Sequence, residues 1–147
     1  MTHTHRIARV YPRLDVGGAE RGILQLLAEI PDTHMVVTHV EGLLAPRARE
    51  LAAHYTLCSP PRFCSLLDAL RGCDVVHAHT INDHPLIPLA AQLAGPRVFV
   101  QTVHNRFEAQ ASLFVDHSIA LGAESAALLD APGRTRVIPN AVVAPEE

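Results

Sequence analysis

Short apolar runs rich in Val and Ile alternate along this sequence with longer segments in which apolar residues recur at helical spacing. This alternation is typical of repeated β-α units, which build a parallel sheet with helices packed against it. We therefore predict one α/β domain, a Rossmann-like doubly wound fold with a mainly parallel sheet of about seven strands. The predicted strands lie near residues 7–11, 35–40, 55–58, 75–78, 98–103, 117–121 and 136–138.

Two segments between these strands carry an apolar stripe that should pack on the sheet. The first stripe consists of Ile23, Leu26, Leu27 and Ile30, and the second of Phe63, Leu66, Leu67 and Leu70. Pro31, Gly72 and Gly95 follow helical segments, and they mark helix ends because proline cannot continue the hydrogen-bond ladder and glycine accepts left-handed dihedrals. Arg9 breaks the pattern, since it stands in the first predicted strand, where a central parallel strand is buried on both faces.

Composition narrows the class of protein. A length of 147 residues suits one domain, and 48% apolar residues suit a packed core. The net charge of -3 and the lack of a long Lys/Arg run argue against a nucleic-acid partner. The three cysteines have neither metal-site nor disulfide-framework spacing, and no visible signal or membrane-spanning stretch occurs. We expect reduced thiols and a cytoplasmic location.

A glycine pair lies where the first predicted strand runs into a helix, within the segment GGAER at 17–21. Without side chains, Gly17 and Gly18 would let an anion such as a diphosphate approach the free N–H groups of the helix start. Paired glycines also permit a tight turn between a strand and a helix, and the residues alone leave both interpretations open. The Gly-x-Gly-x-x-Gly fingerprint of a dinucleotide site is not matched.

Four segments occur in an order that matches a known family. They are GGAER at 17–21, DVVHAHT at 74–80, TVHN at 102–105 and RVIPN at 136–140. Together they resemble the amino-terminal, acceptor-side domain of the family-four glycosyltransferases, retaining enzymes of GT-B fold that use nucleotide-sugar donors. The resemblance implies a domain over residues 1–143 and a tail or truncated interdomain linker over 144–147, with the donor-binding carboxy-terminal domain absent from this chain.

The resemblance also assigns roles to individual residues. Gly17 and Gly18 would face the donor diphosphate, and His104 would be the catalytic residue near the transferred sugar, where an imidazole can position a hydroxyl or share its proton. Without the resemblance, His104 is more simply a packed and hydrogen-bonded loop histidine. The residues expected to line the acceptor cleft are His79, Thr80, Asn82, Asn105 and Arg106.

Histidines near the fourth strand raise the question of a metal site. His77 and His79 alternate along this strand, and we predict that their side chains point to opposite faces, with His77 in the core and His79 lining the acceptor cleft. A cluster of His79, His84 and His104 is the candidate metal site, but no acidic or cysteine partner has suitable spacing. We therefore expect no metal and no other cofactor, with the nucleotide sugar acting as a substrate.

These observations leave three classes of function open. The first is the acceptor-side half of a hexosyltransferase-like enzyme, inactive alone, whose partners are a donor-binding subunit or domain and a carbohydrate or glycolipid acceptor. The second is a non-catalytic module that binds carbohydrate or regulates an enzyme, and the third is an unrelated Rossmann-like ligand domain.

A small basic face formed by Arg47, Arg49 and Arg62 leaves peripheral membrane contact open. Scattered, solvated arginines are the simpler interpretation of the same residues. The sequence does not decide whether the chain forms a homo-oligomer.

Overall fold

The computed structural model describes residues 5–59, 62–79, 85–104, 114–129 and 134–140. Within them lies one α/β domain whose seven strands form a single parallel sheet, as predicted. The strands are β1 (Ile7–Arg13), β2 (Thr33–Val40), β3 (His54–Leu57), β4 (Val75–His79), β5 (Val98–Val103), β6 (His117–Ala120) and β7 (Thr135–Val137). The helices are α1 (Gly18–Glu29), α2 (Ala45–Leu51), α3 (Phe63–Leu70), α4 (Leu86–Ala94) and α5 (Ala123–Ala127).

The strand order is β3-β2-β1-β4-β5-β6-β7, so the chain builds the sheet outward in one direction from β1 and in the other from β4. In a doubly wound sheet, ligands bind beyond the carboxyl ends of the strands at the point where the order reverses. The reversal lies between β1 and β4. The loop that follows β1 and the end of β4 therefore define the edge at which a site is expected.

Successive side chains of β1 and β4 pack on opposite faces of the sheet. Ala8 and Val10 of β1 pack with Val76 and Ala78 of β4 in one apolar cluster, which α3 and α4 cover. On the opposite face Tyr11 packs in a second cluster with residues of β2, α1 and α2. This separation follows from the two-residue period of a strand, which sends neighbouring side chains to opposite faces.

The apolar stripe of α1 is only partly used in this packing. Ile23 and Leu27 are buried, whereas Leu26 and Ile30 keep 36% and 38% of their surface exposed.

The predicted ends of two helices are confirmed, because Gly72 after α3 and Gly95 after α4 have φ of 72° and 69°, in the left-handed region.

The predicted tail at 144–147 lies outside the described residues, so the proposed domain boundary stays a prediction. No helix in the described part of the chain is long and apolar enough to cross a membrane.

Candidate functional site

The loop after β1 is held in place by backbone packing. A Cβ atom on Gly42, in the loop after β2, would collide with the backbone of Leu14, and the Leu44 N–H donates a hydrogen bond to the Leu14 carbonyl at 2.9 Å. Only glycine allows this close approach of two backbones. The loop that carries Gly17 and Gly18 therefore packs at Leu14 against the loop that follows β2.

The glycines of that loop differ in their surroundings. Gly17 is the N-cap of α1 with φ of -160°, an extended conformation that any residue adopts. A Cβ atom on Gly18 would meet nothing within 4 Å. Neither the backbone conformation at position 17 nor packing at position 18 demands glycine, and the start of α1 is consequently open to a ligand at Gly18.

A carboxylate lies close to the start of α1. The side chain of Glu20 folds back over Gly17, so a Cβ atom on Gly17 would collide with its carboxylate oxygen. A negative charge near the first turn is favourable because the helix dipole is positive there. The position thus already accommodates one anionic group.

Below this edge, Arg9, His77 and Thr102 form a buried hydrogen-bonded chain across β1, β4 and β5. Arg9 Nη1 lies 2.7 Å from His77 Nδ1, and His77 Nε2 lies 2.7 Å from Thr102 Oγ1. A guanidinium only donates, so His77 Nδ1 accepts and its proton is on Nε2, which donates to Thr102. His77 is therefore held as a neutral imidazole of one tautomer.

At the carboxyl ends of β4 and β5, His79 and His104 form a second pair. His79 Nδ1 lies 2.9 Å from His104 Nε2, so one imidazole N–H donates to the other ring. The two rings are stacked with centroids 5.2 Å apart, and Tyr11 meets His79 edge-on at 5.7 Å. His79 Nε2 is buried and has no hydrogen-bond partner among the described residues.

The prediction that His77 and His79 point to opposite faces was wrong. Their ring centroids are 4.4 Å apart on the face of the sheet next to α1. Residues two apart on a strand share a face, so an intact β4 places both rings together. His77 is buried as predicted, but it also faces the same cavity as His79.

Burial keeps these histidines neutral. It lowers the pKa of His77 from 6.5 to about 3, with the positive charge of Arg9 adding to the effect. Burial and the neighbouring His77 lower the pKa of His79 well below its usual value. Burial also lowers the pKa of His104, and the negative charge of Glu20 partly opposes this.

A cavity of about 400 Å³ joins these groups to one flank of α1. Its floor is polar, with Arg9, His77, His79, Thr102 and His104. Its other lining residues are mostly apolar, and three are polar. They are Ala19, Gly22, Ile23, Leu26, Ile119, Leu121, Ile138 and Pro139, together with Gln25, Glu29 and Asn140. A mostly apolar lining with a few polar groups is typical of a pocket that binds a small molecule.

Several predicted site residues lie outside the described residues, namely Thr80, Asn82, Asn105 and Arg106, together with His84 of the candidate metal cluster. Of the remaining predictions, Gly17, Gly18, His79 and His104 stand at the expected edge of the sheet, where their roles stay predictions. The part of the chain described contains no group of three or more His, Cys, Asp or Glu residues that could hold a metal ion.

Sequence reasoning missed Arg9, Thr102 and Glu20 as parts of this region. The two-residue period of β4 indicates that position 77 shares a face with position 79. Arg9 pairs in register with His77, and that pairing becomes predictable only once β1 and β4 are placed side by side.

The basic face proposed near α2 is partly neutralised. Arg47 forms an ion pair with Glu50, and Arg49 pairs with Glu41 and lies over the ring of Tyr55. Two of its three cations thus have partners within the chain.

Comparison with known proteins gives a similarity of fold. No family model and no curated protein sequence matches the chain. Two crystal structures of Anabaena Alr3699/HepE, one in complex with UDP and glucose and one with UDP-glucose, match 95% of it, each with a TM-score of 0.78, at 15% and 16% identity. This chain spans 45% and 44% of those chains. It therefore shares its Rossmann-like α/β fold with somewhat less than half of a protein that holds UDP-glucose.

Proposed function

We propose that this chain is the acceptor-side half of a glycosyltransferase that moves a sugar from a nucleotide-sugar donor to a carbohydrate or glycolipid acceptor. One observation carries the proposal: the start of α1, open at Gly18, and the His79–His104 pair lie at the same edge of the sheet, where the strand order reverses. The UDP-glucose held by HepE, whose fold is similar, supports the choice of a nucleotide sugar as donor.

On this proposal the start of α1 stabilises the diphosphate of the donor. Free N–H groups and the positive end of the helix dipole favour the negative charge that builds up on the leaving nucleotide. Glu20 now lies over Gly17, and its long side chain can rotate away when a diphosphate takes its place.

His104 acts on the acceptor hydroxyl. A lowered pKa leaves its imidazole neutral at neutral pH, and a neutral imidazole can accept a hydrogen bond or a proton from a hydroxyl. His79 fixes the orientation of the His104 ring through the 2.9 Å hydrogen bond. His104 is therefore the proposed catalytic residue and His79 a positioning residue.

The proposal places the donor-binding half outside residues 1–143, in a further domain or in a separate subunit. The similarity to somewhat less than half of HepE supports this division. The 147 residues alone should then turn over no donor.

Tagging the chain in its source cells and determining the mass and composition of the purified assembly tests the proposal. Recovery with a stoichiometric donor-binding half, and nucleotide-sugar turnover that requires this half, is the expected result. A correctly assembled complex without turnover would refute catalysis. Acceptor binding that is unaffected by His104→Ala in such a complex would indicate a non-catalytic carbohydrate-binding or regulatory module instead.

A further inference from the structure

Arg9 is a buried cation without a counter-ion in the part of the chain that is described. Its side chain is 4% exposed, and none of the ion pairs among the described residues includes it. Its hydrogen-bond partner is His77, which is neutral, and its Nε is buried without a partner in the same part of the chain. Burial lowers the pKa of Arg9 to about 10, so the guanidinium keeps its charge at neutral pH.

The charge of Arg9 lies at the cavity beside α1. Arg9 lines the 400 Å³ cavity together with apolar side chains such as Leu26 and Ile119. The exposed Glu29 also lines this cavity, but it forms no ion pair with Arg9. A buried charge in apolar surroundings is costly unless an opposite charge meets it.

We propose that the cavity beside α1 binds a saccharide that carries a negatively charged group, and that Arg9 is the counter-ion of this group. The inference rests on the proposed function, because it names the class of acceptor: a sugar with a carboxylate or a phosphate. A carboxylate and a phosphate share the chemistry that a guanidinium recognises, since both offer paired oxygens to its N–H groups.

Arg9 lies next to the histidines at the reacting edge. Its Nη1 atom is 2.7 Å from His77 Nδ1, and the rings of His77 and His79 have centroids 4.4 Å apart. One sugar unit whose anionic group meets Arg9 can therefore also reach His79 and His104, which line the same cavity. The hydrogen bond from Arg9 to His77 holds the guanidinium, and the bond from His77 to Thr102 holds the ring.

The test compares saccharides that differ in one group. Binding of glucuronate, glucose 6-phosphate and glucose to the full chain is measured by calorimetry or chemical-shift titration at pH 8, with inorganic phosphate as a fourth probe. The account predicts that at least one of the two charged sugars binds at least tenfold more tightly than glucose. Which of the two binds better distinguishes a carboxylate ligand from a phosphate ligand.

The matched variants are Arg9→Met and Arg13→Met. Arg13 is on the same strand, but its side chain is 60% exposed and it pairs with Asp15. Arg9→Met should abolish the tenfold preference and raise the thermal unfolding midpoint of the free chain, because it removes an unmatched buried charge. Arg13→Met should retain the preference. Arg9→Lys, which keeps a charge, should retain part of it.

Equal affinities for charged and neutral sugars in the unmodified chain would overturn the inference. A preference that survives Arg9→Met would also overturn it. The same holds if the chain binds inorganic phosphate but neither of the two charged sugars. If Arg9→Met does not fold, a reduced preference in Arg9→Lys supports the inference, whereas an undiminished preference in Arg9→Lys contradicts it.

The inference and the proposed function fail separately. If the assembled complex is active while the chain shows no preference for charged sugars, the inference is refuted and the proposed function is retained. A tenfold preference in a chain whose complex turns over no nucleotide sugar would support the inference and refute the proposed function.

Discussion

The two faces of β1 and β4 are built from alternate residues of the same strands, yet they differ in chemistry. The face under α3 and α4 presents small or apolar side chains, namely Ala8, Val10, Val76 and Ala78, all fully buried. The face beside α1 presents Arg9, His77 and His79, which are also buried. Apolar side chains need only packing, whereas the buried polar groups need partners. On the proposed function, the face under α3 and α4 contributes only to stability, whereas the buried polar groups of the face beside α1 also bind the ligand.

The largest expected effect is on the polar side of this comparison. His104→Ala should reduce turnover of the assembled enzyme by about 10²- to 10⁴-fold, the usual contribution of a general acid or base. The thermal midpoint should also fall somewhat, because the buried His79 loses its hydrogen-bond partner, so turnover is compared per folded molecule. Steady-state turnover and thermal unfolding are the measurements. The control is His117→Ala, an exposed histidine at the start of β6, and equal losses in the two variants would contradict the role of His104.

On the apolar side, Leu70→Ala should lower the free energy of unfolding by about 2–5 kcal/mol, because it leaves a cavity in the core under α3. Turnover per folded molecule should stay the same. Chemical denaturation measures the first quantity and an activity assay the second. Leu93→Ala, at a position on α4 that is 62% exposed, is the control and should be nearly neutral. A loss of turnover in folded Leu70→Ala would break the division between the faces.

Gly42→Ala tests the backbone contact between the loop after β2 and the loop that carries Gly17 and Gly18. The added Cβ would collide with the backbone of Leu14, and overpacking of this kind costs about 1–3 kcal/mol. The displaced loop should also weaken donor binding by the assembled enzyme. Gly122→Ala is the matched control, since a Cβ there meets nothing within 4 Å. Identical denaturation curves for the two variants would show that the two loops do not depend on this contact.

The last prediction concerns pH. An unfolded imidazole binds a proton near pH 6.5, whereas His77 in the folded chain does so only at about 3. The unfolded state therefore holds more protons between these values, and stability falls as the pH drops from 6.5 toward 3. His77 alone contributes a slope of about 1.4 kcal/mol per pH unit. Urea denaturation across this range should show a shallower slope for His77→Gln than for His117→Gln, and parallel curves would refute the buried neutral state.

Much of the fold was predictable because parallel strands are short, apolar and rich in Val and Ile. The runs at Val75–His79 and Val98–Val103 were located almost to the residue. The surroundings of Arg9 were not predictable from β1 alone, since the sequence of one strand does not show which residues of its neighbours lie beside it. Once β1 and β4 are adjacent, the register of Arg9 with His77 accounts for its position.

The candidate site was only partly predictable for a related reason. Sequence order places Gly17 and His104 at the ends of strands, but it does not reveal contacts between strands. The hydrogen bond between His79 and His104 joins residues 25 apart, and it depends on the pairing of β4 with β5. The side chain of Glu20 over Gly17 is a local contact, yet the helix pattern alone does not indicate its rotamer.

The most direct test of the central claim is nucleotide-sugar turnover by the assembly that contains this chain, with Gly18→Val compared with the unmodified protein. A Cβ atom added at position 18 meets no atom within 4 Å, so we expect the fold and the native mass to be retained. The account predicts that turnover is abolished, because the added bulk keeps the diphosphate from the start of α1. Unchanged turnover in the intact Gly18→Val assembly would contradict it.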